Sequence, residues 1–226
     1  MKAFVARQPI FDTNQKVFAY ELLFRDGIEN VFRHSDENIA SSKVLMDSFH
    51  LMDIEKLTNG KIAFINVTDD ILVKEYIKLF PKELIAVEIL ETVVLSDEII
   101  NNCRSLNNDG YTLILDDYVY NDVFDPIIEF IDIIKVDVLA TTKIIQEQII
   151  NKFAPKGILM LAEKIETKEG YLEAISMGYS YFQGYFFSKP SVHSSKVIPG
   201  SKIHYFNLLQ EIQQIDFDFS KVENSN

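Results

Sequence analysis

Polar residues stand near the ends of seven short apolar runs: Glu21, Asn66, Glu88, Asp116 with Asp117, Lys135 with Asp137, Glu163 and Gln183. One such residue means little, because a buried strand reaches solvent where it ends. Seven in succession would form a ring if the runs are strands of one closed sheet, since strand ends of an α/β barrel converge on one mouth. Five of the runs supply carboxylates and two supply amides, with no Cys or His among them. An all-oxygen set suits hard cations, so Mg²⁺, Mn²⁺ or Ca²⁺ is favoured over Zn²⁺. Without a cation, the crowded carboxylates would raise one another's pKa values. Lys135 is the one cation of the ring. It either activates water and stabilises charge on a transferring phosphoryl group, or forms a structural salt bridge to Asp137 or Glu163.

The elements that must position this ring follow from hydrophobic pattern. Residues 61–67, 85–90, 112–118, 133–139, 157–163 and 181–187 are apolar runs of strand length, as expected of parallel strands covered on both faces. Helical stretches lie between them, notably 96–108 and 167–177. Ser96-Asp97-Glu98 and Thr167-Lys168-Glu169 read as helix starts, and Gly110 and Gly178 as stops. Alternating strands and helices make βαβ units and a parallel sheet. Upstream, residues 3–10 and 16–25 flank the turn-like Asp12-Thr13-Asn14-Gln15 and read as a hairpin, followed by a helix over 36–51. The hairpin brings the strand total to the number a closed barrel needs. The expected fold is α/β, a TIM-like (β/α)8 barrel with an antiparallel first strand. Residues 191–199 read as a polar loop, 202–214 as one more amphipathic helix, and 220–226 as a frayed tail.

Composition excludes several classes. The 226 residues carry a net charge of −12, which argues against a long nucleic acid as partner and against an anionic membrane surface. A small anionic ligand is compatible if metal ions supply positive charge locally. The apolar run at residues 3–6 is too short for a signal peptide, and no stretch is long enough to span a bilayer. A lone Cys103 fits a reducing compartment, so a cytoplasmic location is expected. There is no G-x-G-x-x-G, no phosphate loop and no His pair at zinc spacing.

The ordered motifs resemble the EAL family. Tyr20-Glu21-Leu22-Leu23-Phe24-Arg25 is similar to the EAL signature, with Leu22 where the family has Ala. Phe64-Ile65-Asn66-Val67, Val87-Glu88-Ile89-Leu90-Glu91, Leu115-Asp116-Asp117-Tyr118 and Ile134-Lys135-Val136-Asp137 follow in the family's order. So do Ala162-Glu163-Lys164-Ile165-Glu166-Thr167 and Gln183-Gly184-Tyr185. The resemblance implies hydrolysis of cyclic di-GMP to linear pGpG with Mg²⁺ or Mn²⁺, Ca²⁺ binding as an inhibitor. It implies that Glu21, Asn66, Glu88 and Asp116 are metal ligands, with Asp117 reaching a second metal. Lys135, Glu163 and Gln183 would complete the water-activating shell. Arg25 would grip a ligand phosphate, Leu23 and Asp137 would line the pocket, and Glu91 would brace the loop after Asp117. The opening Ala6-Arg7-Gln8-Pro9-Ile10-Phe11-Asp12 is closer to the branch in which EAL precedes an HDOD domain. On this reading residues 1–195 are the EAL-like barrel, and 196–226 resemble the start of an HDOD domain, cut short. The resemblance also allows a homodimer.

Two further departures from the family bear on catalysis. Active members follow the paired Asp with a glycine-containing loop, but here Tyr118-Val119-Tyr120-Asn121-Asp122 follows. Val119 would be strained at positive φ by about 1–3 kcal/mol, so a different loop shape is expected. Lys164 replaces a glycine beside Glu163. The expected functions are therefore a phosphodiesterase, slow because of the loop, or a catalytically inactive receptor or protein-interaction scaffold. A barrel with unrelated Mg²⁺ chemistry is disfavoured by the ordered motifs.

Overall fold

A computed structural model describes residues 2–25, 54–120 and 122–196, and side chains within 5–23, 54–120 and 122–192. The helix expected over 36–51, the helix over 202–214 and nearly all of the 196–226 segment lie outside the described residues.

Two strands open the fold as a hairpin, β1 (Lys2–Asp12) and β2 (Val17–Arg25), paired antiparallel from Phe4↔Arg25 to Phe11↔Val17. The turn is set by Asp12, whose Oδ1 accepts from the backbone N–H of Asn14 at 2.9 Å and of Lys16 at 2.8 Å. Short polar side chains commonly organise turns in this way. Then come α1 (Ile54–Leu57), β3 (Ile62–Val67), α2 (Asp69–Val73), β4 (Ile85–Ile89), α3 (Asp97–Asp109) and β5 (Thr112–Leu115). These are followed by β6 (Ile133–Asp137), α4 (Lys143–Phe153), β7 (Leu159–Glu163), α5 (Lys168–Met177), β8 (Tyr181–Phe182) and β9 (Ser191–Lys196). Strands β2 to β8 run parallel in chain order, and antiparallel β1 lies between β8 and β2, closing an eight-stranded barrel. The start and stop signals of α3 and α5 act as expected. Ser96 accepts from Ile99 N–H and Thr167 from Gly170 N–H, while Gly110 and Gly178 end their helices at φ 86° and 101°.

Strand period explains how the barrel positions its polar ring. Successive side chains point to opposite faces, so one phase of each strand fills the interior. Ile10, Ala19, Phe64, Ala86, Ile114, Ile133 and Leu161 form one buried cluster there, with Phe18, Ile62 and Tyr181 against it. The other phase, including Ile65, Val87, Leu115, Ile134 and Val136, packs outward under the helices. Two residues beyond each interior apolar residue comes a polar one: Ala19 then Glu21, Phe64 then Asn66, Ala86 then Glu88. Ile114 then Asp116, Ile133 then Lys135, Leu161 then Glu163 and Tyr181 then Gln183 continue the pattern. The ring therefore rests on an apolar floor.

The structure corrects two expectations. The last parallel strand ends at Phe182, not Phe187, because Gly184 turns the chain at φ 157° over the backbone of Ile165. Residues 191–196 are strand β9, not loop, paired with β1 from Arg7↔Ser191 to Lys2↔Lys196. With β8 only two residues long, most of that edge of β1 is left for another strand, and an edge strand can be polar. The connection from β5 to β6 carries only a short 3-10 turn, Asp125–Phe130, in place of an α-helix.

Candidate active site

Lys135 stands at the centre of the ring and is 1% exposed. Its ammonium bonds Glu88, Asp116 Oδ1 at 2.8 Å and Glu163 Oε1 at 2.9 Å, and lies 4.0 Å from Glu21 Oε2. The expected bridge to Glu163 is present. Asp137 instead bonds the ammonium of Lys164. Gln183 Nε2 donates to Glu21 Oε2 at 2.6 Å. Asn66 sits in register beside Glu88, and Asp137 beside Glu163.

Burial drives the electrostatics. It pushes the Glu163 carboxyl up from 4.5 to about 8, helped by Asp116 and Glu21 and opposed by Lys135. Glu88 is raised well above the carboxylate range, first by burial and then by Asp116, Glu21 and Glu163 against the pull of Lys135. Burial also raises Asp116, but the Lys135 charge and hydrogen bond outweigh it and leave that group low. Lys135 is raised well above its usual value, because the surrounding carboxylates overcome burial.

The ring fits a hard cation. Among the described residues six buried side-chain oxygens lack a hydrogen-bond donor: Asn66 Oδ1, Thr68 Oγ1, Glu88 Oε2, Asp117 Oδ1, Glu163 Oε2 and Gln183 Oε1. All but Thr68 belong to the ring. Buried oxygens without donors are costly, and a metal ion satisfies several at once. Oxygens of Asp116, Asp117 and Glu163 also lie within 4.8 Å of one another.

The remaining expected residues are more dispersed. Leu23 is half-buried toward the rim, in the same strand phase as Glu21. Arg25 pairs with Phe4 at the end of β2, and its side chain lies outside those described. Glu91 is exposed on the turn after β4 and makes no hydrogen bond or ion pair among the described residues. In the loop after Asp117, Val119 is not at positive φ, whereas Asp117 adopts φ 38°. Val119 and Tyr120 face solvent, while Tyr118 is buried with its ring edge-on to Phe153.

Two residues of the site region stand outside the pattern legible in the sequence. Gln8 is buried and donates to the Ser188 carbonyl at 3.2 Å. Its position two before the interior Ile10 on an antiparallel strand is the signal that marks it. Lys164 reads in the sequence only as a missing glycine, yet its ammonium bonds Asp137 and lies 3.7 Å from Asp117 Oδ1.

These features define an α/β barrel with a candidate divalent-cation site at its strand ends. The chain belongs to the EAL domain family, whose model matches residues 23–190. It is 37% identical over 219 residues to the uncharacterized protein YuxH of Bacillus subtilis, covering 95% of this chain and 54% of YuxH. It is 32% identical over 227 residues to the cyclic di-GMP phosphodiesterase CdgJ of Vibrio cholerae, covering 97% and 52%. The chain thus spans about half the length of these curated relatives. Klebsiella pneumoniae BlrP1, solved as a calcium and cyclic di-GMP complex, superposes with a TM-score of 0.69 at 21% identity, covering 86% of this chain and 57% of that one. Bacillus subtilis YkuI, solved with cyclic di-GMP and calcium, gives 0.68 at 18%, covering 92% and 62%. At such identities the likeness establishes the fold. Among the described residues no helix is long and apolar enough to cross a membrane.

Proposed function

We propose that this chain is a metal-dependent cyclic di-GMP phosphodiesterase domain, slowed by the segment after β5. The observation that carries the reading is the set of donorless buried oxygens around Lys135. It is supported by the activity named for CdgJ and by the ligand in the BlrP1 and YkuI structures.

On this reading Glu21, Asn66, Glu88 and Asp116 hold Mg²⁺ or Mn²⁺, and Asp117 is the carboxylate that a second ion would need. Ca²⁺ binds the same oxygens and inhibits. The metal's contribution when bound is to polarise a phosphoryl oxygen and acidify water. Lys135 orients the attacking water through its ammonium, Glu163 takes the proton once its carboxyl is ionised, and Gln183 keeps Glu21 in place. Attack of the water oxygen on phosphorus breaks the P–O3′ bond, and a proton returns to the leaving O3′ to give linear pGpG. Arg25 holds a ligand phosphate with its planar donors, Leu23 and Asp137 line the pocket, and Glu91 supports the loop once ligand is bound. The acidic chain works in the cytoplasm on a small ligand rather than on a long nucleic acid or a membrane. A homodimer, and residues 196–226 as the start of an HDOD-like domain, belong to the same reading.

The second reading is a receptor or scaffold without turnover. It draws on Asp117, which turns through φ 38° next to Lys164. Cyclic di-GMP turnover with Mn²⁺ or Mg²⁺, measured alongside binding, separates the two. Binding that survives both EDTA and Arg25→Ala would place the ligand elsewhere and defeat the metal reading.

A further inference from the structure

We propose that Lys164 is a built-in cation at the barrel mouth that replaces a second divalent ion, so that the chain binds one ion rather than two. This rests on the metal-binding reading above. Asp116, Asp117 and Glu163, with oxygens within 4.8 Å of one another, are the carboxylates a second ion would draw on. Lys135 already serves the other side of this group, through Glu88, Asp116 and Glu163.

Lys164 serves the outer side. It follows Glu163 at the end of β7, and its ammonium bonds Asp137 Oδ2 at the end of β6 and lies 3.7 Å from Asp117 Oδ1 after β5. One side chain thus spans carboxylates from two neighbouring strands. Asp117 Oδ1 is buried without a hydrogen-bond donor, so this ammonium is the cation it faces. A divalent ion on that oxygen would meet the Lys164 charge at close range, where like charges repel. The backbone points the same way. Lys164 sits at φ 57°, a left-handed conformation unfavourable for any residue with a Cβ. Nothing in the turn calls for lysine; the two aspartates do.

The test is a Mn²⁺ titration of wild type, Lys164→Gly and Lys164→Met, with free Mn²⁺ read by electron paramagnetic resonance. Glycine relaxes the backbone and removes the charge, whereas methionine removes only the charge. The expected result is one ion per chain for wild type and two for both variants, the second lost again when Asp117→Asn is added. Two ions on wild type would overturn the proposal. So would one ion on all three chains, which would leave the metal reading intact. Two ions on Lys164→Gly alone would place the effect in the backbone and also overturn it. No ion on any chain would remove the metal reading and this inference together.

Discussion

Gln183 Nε2 and Glu21 Oε2 meet at 2.6 Å across 162 positions of sequence. The bond spans the seam where antiparallel β1 separates β8 from β2, and it ties the last polar residue of the ring to the first. Gln183 can hold this position because the chain turns sharply just after it. Its carbonyl accepts from Ile165 N–H at 3.0 Å, and Phe186 N–H donates to the Ile165 carbonyl at 3.0 Å.

The turn admits no side chain at Gly184. A Cβ there would meet the Ile165 carbonyl oxygen at 2.1 Å and its nitrogen at 2.3 Å, both backbone atoms. Gly184→Ala should therefore cost about 2–4 kcal/mol, in the range of strained or overpacked substitutions. It should also weaken divalent binding by displacing Gln183 from Glu21. Denaturant melts and Mn²⁺ titration check this, and wild-type values for both would refute the positioning role.

Lys135 lends itself to a sharper test. Lys135→Met leaves the ionised Asp116 without its cation, a loss of about 3–5 kcal/mol for comparable broken pairs. Mn²⁺ should restore most of that stability while turnover stays absent, since the ammonium that orients water is gone. Full turnover in the metal-rescued variant would reduce Lys135 to a structural salt bridge.

Much of this site is legible in the sequence because strand period and chemistry coincide. An apolar residue, one outward residue and then a carboxylate, an amide or, on β6, the Lys135 ammonium recurs on β2 to β8, which set the ring and its floor. The caps at Ser96 and Thr167 are equally legible, because they act through local hydrogen bonds. The role of Lys164 is not, since its partners Asp117 and Asp137 lie 47 and 27 positions away and meet only when β5, β6 and β7 align. Strand β9 reads as a loop because its sequence carries no apolar period; pairing with β1 makes it a strand.

Proton linkage gives the ring a distinctive pH response. Glu163 moves from 4.5 to about 8 on burial, so the fold keeps a proton that the unfolded chain releases. Its contribution is complete below about pH 4.5 and is lost as pH rises through 8. Glu88 is shifted in the same direction. Asp116 and Asp137 are shifted down, and their effects fall in the more acidic range. The metal-free chain should thus lose stability between pH 5 and 8 by on the order of a few kcal/mol, at about 1.4 kcal/mol per unit shared among coupled groups. Glu163→Gln should flatten that slope, and Mn²⁺ affinity should rise over the same interval as the proton is displaced. A metal-free stability that is level across this window would contradict the burial of a protonated ring.

Turnover decides between enzyme and receptor. The segment after β5 is anchored by buried Tyr118, whose N–H donates to the Lys135 carbonyl at 2.9 Å, while Val119 and Tyr120 project into solvent. That anchoring holds Asp117 at φ 38° beside Lys164, and small misplacements of reacting groups can cost about 100-fold in rate. Native cyclic di-GMP hydrolysis should therefore be weak. Grafting Gly-Thr-Gly over positions 119–121 should raise it modestly, because the Lys164 ammonium still faces Asp117. Adding Lys164→Gly to the graft should raise it further, and by more than the product of the separate changes, since both act on Asp117. Fast native turnover that Lys135→Ala abolishes would mean the loop imposes no penalty. Absence of turnover in the native, grafted and doubly altered chains, with cyclic di-GMP still bound, would identify the barrel as a receptor.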